Sequence, residues 1–355
     1  MTGPIMIMAG GTGGHIFPGL AVASELQARG HVVHWMGSSA GLEGRLVPEA
    51  NLPLHRLAVR GLRGKRGLAR VMGPLRLAIS MLQALWILKR VNPCVCVGFG
   101  GYPAGPGGAA ARVLKIPLVI HEQNAIAGMT NRYLAKFATR VLTAFPDVLP
   151  EGICVGNPIR AEIDQVGRKR IAEGHQASGT TRILVVGGSQ GARALNHELP
   201  AKFYQIAEQY GIEVTHQAGD HGAPAVSDAY EALSLDATVV AFISRMDQAY
   251  QEADIVVCRA GALTVSELAS AAMPSVLIPF PHAVDDHQTK NGQQLAKAGA
   301  AVIVQESELD IFVAKMSDIL RAPENLTQMA RAARSVSKPE ATIDVANHIL
   351  EVAGG

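Results

Sequence analysis

The sequence predicts an α/β protein built from two doubly wound parallel sheets, one in each half of the chain, with a cleft between the halves. Two observations support this prediction. A short apolar strand at 5–9 runs into a glycine-rich loop and then a helix, and the same order returns at 182–199. The chain also has 355 residues, 48% of them hydrophobic, which is enough for two domains with separate cores.

The first half alternates short apolar runs with helical spacing. The opening strand is followed by the glycines of 10–14 and by helical spacing over 20–26. Further short apolar runs are typical of buried parallel strands. We predict strands at 32–36, 94–97, 118–120 and 140–143.

The second half repeats the pattern after the glycine-rich loop 187–192, and its further predicted strands are 213–216, 239–242, 255–258 and 275–278. Gly156 and Pro158 punctuate the junction, because the residue before a proline disfavours helix. The predicted domains are therefore 1–158 and 159–340, with a C-terminal helix, 341–355, that packs back on the first domain.

Cysteine spacing and the apolar pattern disfavour a zinc site, a cleavable signal peptide and a membrane-spanning helix. The four cysteines lie in or beside apolar runs without paired Cys-x-x-Cys spacing, which indicates buried reduced thiols rather than zinc ligands. The N-terminus enters a strand directly, unlike a cleavable signal peptide. The densest apolar helical stretch, 77–88, is shorter than the roughly 20 residues of a spanning helix, so no membrane crossing is predicted.

Charge is unevenly distributed, although the net charge is only +2. Between Glu49 and Glu122 there is no acidic residue, and such a stretch indicates an anionic partner. Nucleic acid, an anionic membrane surface and a diphosphate ligand all remain open at this point. The basic residues in the stretch are Arg56, Arg60, Arg63, Lys65, Arg66, Arg70, Arg76, Lys89, Arg90, Arg112 and Lys115.

The two glycine-rich loops favour a phosphate-containing ligand, because backbone N–H groups and a helix N-terminus can approach phosphate oxygens there. Glycine-rich turns also serve close packing of helix on strand, but the presence of one such loop in each half strengthens the functional interpretation. No Gly-x-x-x-x-Gly-Lys-Ser/Thr motif occurs, which disfavours a kinase or ATPase. Gly37 and Ser38 follow the second strand where a dinucleotide fold would place an acidic residue, which disfavours a dehydrogenase.

Polar residues after the predicted strands are the candidate site. Glu267, behind the glycine loop at 259–261, can accept both hydroxyls of a ribose, or else simply favour the positive first turn of its helix. The loop 285–288 suits sugar hydroxyls or, less well, a metal. His15 lies at a helix start near any bound phosphate. The loops 100–105 and 121–124 also follow strands, where ligands usually bind.

Seven segments, in order along nearly the whole chain, resemble the MurG family. That family comprises peptidoglycan glycosyltransferases of the two-domain GT-B class, which convert lipid I to lipid II. The segments are 10–21 (GGTGGHIFPGLA), 61–65 (GLRGK), 98–108 (GFGGYPAGPGG), 121–131 (HEQNAIAGMTN), 155–160 (VGNPIR), 187–192 (GGSQGA) and 259–267 (RAGALTVSE).

The resemblance implies an inverting transfer of N-acetylglucosamine from UDP-N-acetylglucosamine to the 4-hydroxyl of the muramoyl sugar of lipid I, with no metal or cofactor. It implies His15 as the base, Glu122 as the alternative base or a partner of the acceptor hydroxyl, and Tyr102 and His121 as the lining of the acceptor pocket. The implied donor-binding residues are Thr12, Gly13, Gly14, Asn124, Arg160, Ser189, Ile243, Ala262, Leu263, Thr264, Val265, Ser266, Glu267 and Gln288.

The resemblance also gives the basic stretch a partner, because the acceptor stays in an anionic leaflet. Arg76, Ser80 and Gln83 share one face of the predicted helix 74–90, which leaves a wide apolar remainder that includes Leu75, Ile79, Leu82 and Trp86. We expect peripheral attachment to the cytoplasmic face of the plasma membrane. The alternatives are a UDP-N-acetylglucosamine epimerase and a non-catalytic nucleotide-sugar-binding subunit. Nucleic acid ranks last, because the basic stretch lacks interleaved aromatic residues.

Overall fold

The structure, a computed structural model, describes residues 3–38, 41–58, 68–174, 179–188 and 192–354. The chain divides into two units. The first comprises Met1–Ile159 with Pro339–Gly355, and the second comprises Arg160–Lys338. The boundary predicted after residue 158 lies one residue from this division, and the C-terminal helix belongs to the first unit.

The first unit contains a parallel sheet of seven strands in the order β3-β2-β1-β4-β5-β6-β7. Its strands are β1 Ile5–Ala9, β2 Val33–Ser38, β3 Leu54–Leu57, β4 Val95–Gly100, β5 Leu118–Glu122, β6 Arg140–Thr143 and β7 Ile153–Cys154. Its helices are α1 Gly13–Ala28, α2 Glu43–Glu49, α3 Leu68–Val91, α4 Gly101–Val113, α5 Met129–Leu134 and, from the C-terminus, α14 Ala341–Gly354.

The second unit contains a parallel sheet of six strands in the order β10-β9-β8-β11-β12-β13. Its strands are β8 Thr181–Val186, β9 Ile212–Gln217, β10 Ala237–Val240, β11 Ile255–Cys258, β12 Ser275–Leu277 and β13 Ala301–Ile303. Its helices are α6 Ala161–Glu173, α7 Arg193–Ala207, α8 Ala223–Ala232, α9 Met246–Glu252, α10 Ala262–Ser270, α11 His287–Lys297, α12 Phe312–Leu320 and α13 Pro323–Ser335, with 3-10 helices at Val284–Asp286 and Glu306–Ile311.

Both faces of each sheet are covered, which is why the central strands read as unbroken apolar runs. In β1, Ile5 and Ile7 pack towards the side of α1 and α14, while Met6 and Met8 pack towards α3 and α4. The second unit has its own core around β8, β9 and β11. The structure therefore confirms two doubly wound parallel sheets.

Three strands escaped prediction, namely β3, β7 and β13, and all three lie at sheet edges. β3 (LHRL) contains two polar residues and β7 has only two residues, so neither has the apolar run that marks a central strand. β13 (AVI) is apolar but has only three residues. The strand predicted at 239–242 is another edge strand, and it ends two residues earlier, at Val240, which leaves Phe242 exposed in the following loop.

Candidate active site

The order of strands reverses between β1 and β4 in the first unit and between β8 and β11 in the second. At such a point the loops after the two strands separate and leave a crevice, where doubly wound folds bind ligands. In the first unit the two loops contact each other at one point, between Gly10 and Gly101. A Cβ on Gly101 would lie 2.0 Å from the Gly10 carbonyl oxygen, and Gly101 has φ +76°. Only glycine fits this close approach.

A buried carboxylate supports the first glycine-rich loop from beneath. Glu43 is fully buried, and its Oε2 accepts the N–H of Gly11 at 3.3 Å. Its Oε1 accepts the N–H and the hydroxyl of Ser38, at 3.0 and 2.6 Å. One N–H of the loop thus points to a protein carboxylate. Thr12 and the helical residues Gly13 and Gly14 remain the part of this loop nearer to solvent.

His15, the third residue of α1, lies at this crevice. Its Nδ1 is 3.0 Å from Oε1 of Gln123, which follows β5. A Cβ on Gly100 would lie 3.1 Å from the same Nδ1, so the glycine gives the ring its space. Among the described residues, no protein group forms a hydrogen bond with His15 Nε2. The ring therefore has one nitrogen held by the protein and one available to a ligand.

His121 lies beneath His15 and is fully buried. Its Nε2 is 2.8 Å from the Gly156 carbonyl oxygen, and its Nδ1 is 3.1 Å from Nε2 of Gln123. Burial lowers the pKa of His121 to about 4, so the ring is neutral at pH 7. This differs from the expectation that the His121 side chain lines an open pocket.

Glu122 is 1% exposed, and both of its oxygens accept hydrogen bonds. Oε1 accepts from the backbone N–H of Asn124 at 2.9 Å and from its side chain at 3.2 Å. Oε2 accepts from the N–H of Gly128 at 3.0 Å and from the Asn131 side chain at 2.9 Å. These four bonds hold the loop between β5 and α5 and leave the carboxylate little capacity for a ligand.

Two exposed aromatic rings flank the first crevice. Tyr102 is 47% exposed, and its ring would contact a Cβ on Gly11 at 3.8 Å. Phe17 is 45% exposed and covers Gly13. The structure thus brings His15, Tyr102 and the first glycine-rich loop to one edge of the sheet, as the positions after strands predict.

In the second unit, α10 begins directly after β11 and the loop Arg259–Gly261. Its N-cap is Gly261, which has no side chain to cap the first turn. The N–H groups of that turn and the partial positive charge of the helix are suited to an anion. This start of a helix comprises the predicted Ala262, Leu263, Thr264, Val265 and Ser266, and the Ser266 hydroxyl donates to the Ala262 carbonyl at 3.1 Å.

Two of the predicted residues, Arg160 and Glu267, are brought together. Arg160 Nη2 is 3.5 Å from Glu267 Oε1, and the Tyr250 hydroxyl donates to Oε2 at 3.3 Å. The Glu267 side chain is 12% exposed, whereas that of Arg160 is 49% exposed. Burial raises the pKa of Glu267, and the Arg160 charge and the Tyr250 hydrogen bond offset this only in part. The carboxylate therefore has unused capacity to accept hydrogen bonds.

Ile243 and Gln288, which were also predicted for the second unit, lie in different parts of the fold. Ile243 is half-buried after β10. Gln288, in the first turn of α11, uses its Oε1 to accept the Phe280 N–H at 2.9 Å. Ser189 lies outside the described residues, as does the segment 61–65. In the ranges that the structure describes, no group of three or more His, Cys, Asp or Glu is arranged to hold a metal ion.

Sequence reasoning gave no role to Gln123, Glu43 or Tyr250. Gln123 had a signal, because it follows a strand on the ligand side of the sheet. Glu43 and Tyr250 had none. They lie 32 residues from Gly11 and 17 residues from Glu267, and only the fold shows which polar group each one meets.

Helix α3 carries an apolar surface. Its exposed large side chains are Leu77, Ile79, Leu82 and Trp86. Ser80, which shares a predicted helical face with Arg76 and Gln83, is fully buried, and its hydroxyl donates to the Arg76 carbonyl at 2.8 Å. The apolar face is therefore turned outwards. Over the described residues, no helix combines the length and the apolar character that a bilayer crossing demands.

Comparison with known proteins agrees with this geometry. The N-terminal domain of glycosyltransferase family 28 matches residues 5–143, and its C-terminal domain matches residues 182–345. A UDP-N-acetylglucosamine–N-acetylmuramyl-(pentapeptide) pyrophosphoryl-undecaprenol N-acetylglucosamine transferase from Pseudomonas syringae pv. tomato is 47% identical over the full length of both chains. A transferase of the same name from Marinobacter nauticus is 47% identical over 99% of this chain and 98% of its own.

Among solved structures, Acinetobacter baumannii MurG superposes with a TM-score of 0.83 at 39% identity, covering 98% of this chain and 99% of its own. The identity extends over both units and leaves neither without a counterpart. The chain is thus an N-acetylglucosamine transferase enzyme and belongs to the MurG family of glycosyltransferase family 28.

Proposed function

We propose that the protein transfers N-acetylglucosamine from UDP-N-acetylglucosamine to the 4-hydroxyl of the muramoyl sugar of lipid I, giving lipid II. One observation carries the chemical part of the proposal. His15 lies at the strand-order reversal of the first unit, with Nδ1 bonded to Gln123 and no protein partner for Nε2 among the described residues. That arrangement suits a general base, which must have a free lone pair and a fixed orientation.

The reaction requires one proton transfer and one displacement. The acceptor oxygen forms a bond to C1 of N-acetylglucosamine, the bond from C1 to the diphosphate oxygen breaks, and UDP leaves with the electron pair. The proton of the acceptor hydroxyl goes to His15 Nε2. A positioned base of this kind contributes about 10²–10⁴-fold to the rate. Glu122 is the less suitable base, because four hydrogen bonds already occupy its oxygens.

The donor nucleotide is assigned to the second unit. We infer that Glu267 accepts the ribose hydroxyls, since burial has left this carboxylate with few partners. Arg160 and the start of α10 would face the diphosphate, where N–H groups and a positive charge stabilise the leaving group without a metal ion. The further proposed donor contacts are Ser189, Ile243 and Gln288 from the second unit and Thr12, Gly13, Gly14 and Asn124 from the first.

We propose that the first unit binds the acceptor and contacts the membrane. Tyr102 and Phe17, both half-exposed beside the glycine-rich loop, provide aromatic surface for a sugar or lipid. The outward apolar face of α3 ends in the exposed Lys89 and Arg90, a combination suited to shallow contact with an anionic leaflet. The proposal is peripheral attachment to the cytoplasmic face of the plasma membrane.

A vesicle experiment tests this attachment. Phosphatidylglycerol vesicles should retain the protein at low salt and release it at high salt, because each Lys or Arg at the surface contributes about 1 kcal/mol. Replacing Leu82 and Trp86 by Ser should weaken retention, whereas Tyr204→Ser, a 41%-exposed aromatic residue of the second unit, should not. Equal retention of all three proteins would reject α3 as the contact surface.

The decisive test of the function is transfer of labelled N-acetylglucosamine from its UDP donor to a lipid-I analogue, with the acceptor omitted as control. Acceptor-dependent formation of the disaccharide lipid is the expected result. Release of an altered free sugar without acceptor would favour an epimerase instead. Binding of the UDP-sugar with no turnover in the presence of acceptor would favour a non-catalytic subunit.

A further inference from the structure

A chain of hydrogen bonds runs from the interior of the first unit to His15. It begins at the Gly156 carbonyl, 2.8 Å from His121 Nε2, and continues from His121 Nδ1 to Gln123 Nε2 at 3.1 Å. It ends between Gln123 Oε1 and His15 Nδ1, at 3.0 Å. The middle of the chain is sealed from water, because His121 and Gln123 are 0% and 1% exposed.

The first link fixes the proton on His121. A backbone carbonyl can only accept a hydrogen bond, so His121 Nε2 must carry the proton and donate. A neutral imidazole has one N–H, which leaves His121 Nδ1 as an acceptor. Burial keeps the ring neutral, with a pKa lowered to about 4.

The second link fixes the orientation of the Gln123 amide. Its Nε2 is 3.1 Å from two acceptors, His121 Nδ1 and the His121 carbonyl oxygen. Only the NH₂ group can satisfy both, so the amide oxygen must face His15. An oxygen facing Nδ1 can only accept a hydrogen bond from it. His15 must then hold its proton on Nδ1 and its lone pair on Nε2.

We propose that Gln123 and His121 are positioning residues that hold His15 in the Nδ1–H tautomer, with Nε2 ready to accept the proton of the acceptor hydroxyl. This inference rests on the proposed role of His15 as base and adds the mechanism that prepares it. When Nε2 takes the proton, the ring becomes an imidazolium, and Gln123 Oε1 remains bonded to its Nδ1–H. Without this link the opposite tautomer would present an N–H, rather than a lone pair, to the acceptor.

The tautomer can be read directly in the free protein. Long-range ¹H–¹⁵N correlation spectra of histidine-labelled protein distinguish the two tautomers, and the His15 signals are assigned by their loss in His15→Gln. The wild type should show the Nδ1–H form for His15. In Gln123→Met that signature should be lost, and kcat for transfer to a lipid-I analogue should fall at least about tenfold with little change in KM for the donor.

Two further variants separate positioning from loss of structure. Gln123→Glu keeps an oxygen opposite His15 Nδ1, so it should keep the Nδ1–H signature and a higher kcat than Gln123→Met. His216→Gln removes a buried histidine of the second unit that also has two partners, Tyr230 and Asn196, and should leave the His15 signals and kcat unchanged.

A wild-type His15 in the Nε2–H form, or a Gln123→Met protein with unchanged signature and kcat, would overturn the proposal. Failure of the proposed function looks different. In that case His15→Gln would retain transfer, or no lipid product would form at all, while the tautomer of His15 would still be visible in the spectra.

Discussion

The two units each bury a glutamate near the loops of their strand-order reversal, but they use it in opposite ways. In the first unit, Glu122 accepts three hydrogen bonds from Asn124 and Gly128 of the loop that follows it and one from Asn131 of α5. In the second unit, Glu267 has one hydrogen bond from Tyr250 and a distant ion pair with Arg160. A satisfied carboxylate fixes a loop, whereas an under-satisfied one is prepared for a ligand.

The same contrast extends to the loops that precede α1 and α10. The first loop donates one N–H to Glu43 and lies beside a histidine whose orientation the protein controls. The second unit instead presents the start of α10, which follows a glycine. Under the proposed function, one pattern of a strand, a loop that contains glycine and a helix would serve two tasks: orientation of a base in the first unit and binding of an anion in the second.

The largest expected effect belongs to the first unit. His15→Ala should lower kcat for transfer by about 10²–10⁴-fold, with much less change in KM for UDP-N-acetylglucosamine, because a base acts in the transition state. Steady-state kinetics with a lipid-I analogue measure both constants. The matched control is His34→Ala, a histidine of the same unit that pairs with His55 away from the crevice. Equal losses in kcat and donor affinity would instead assign His15 to binding.

The second unit should show the reverse pattern. Glu267→Gln should raise KM for the donor by about tenfold to a hundredfold, because hydrogen bonds to a charged group are lost, with a smaller effect on kcat. Burial raises the pKa of this carboxyl, so its ionised form costs stability above that pKa. The neutral variant should therefore unfold at the same or a higher temperature at pH 7. The exposed Glu252→Gln is the control, and a large fall in the melting temperature would contradict the comparison.

Glu122→Gln should affect stability rather than donor binding. Each Glu122 oxygen accepts two of the four hydrogen bonds, and a glutamine retains only one oxygen, so two of the four donors lose their partner in the protein interior. The free energy of unfolding should fall by about 1–3 kcal/mol, measured by urea denaturation against the exposed Glu151→Gln. The amides of Asn124 and Gly128 should also exchange faster with solvent. Unchanged stability with a much lower kcat would restore Glu122 as the candidate base.

Much of this contrast could not be predicted from the sequence. The central strands could be predicted, because burial on both faces forces them to be apolar, and the loops after them indicated where ligands bind. The resemblance named His15, Glu122 and Glu267. It did not show how completely each carboxylate is hydrogen-bonded, since the number of donors around a carboxylate depends on residues such as Asn131 and Tyr250, which only the fold brings near. The buried position of Ser80 was missed for a related reason, because its hydroxyl is satisfied by its own helix.

The smallest expected effect concerns the Tyr250 hydroxyl, which donates a hydrogen bond to Glu267. Tyr250→Phe removes one hydrogen bond to Oε2, worth about 0.5–1.5 kcal/mol, so KM for the donor should rise by at most about tenfold at pH 7. The pH dependence is more informative. In the proposed function the ionised carboxylate accepts the ribose hydroxyls. The Tyr250 hydrogen bond lowers the pKa of Glu267 against the opposing effect of burial. Loss of the bond raises that pKa.

As pH falls, the donor KM of Tyr250→Phe should therefore begin to rise at a higher pH than that of the wild type. Tyr230→Phe provides the matched control, because Tyr230 is equally buried in the same unit but bonds to His216. Tyr230→Phe should leave the pH dependence of the donor KM unchanged. A profile that shifts equally in both variants would mean that the change reflects loosening of the second unit, and not the ionisation of Glu267.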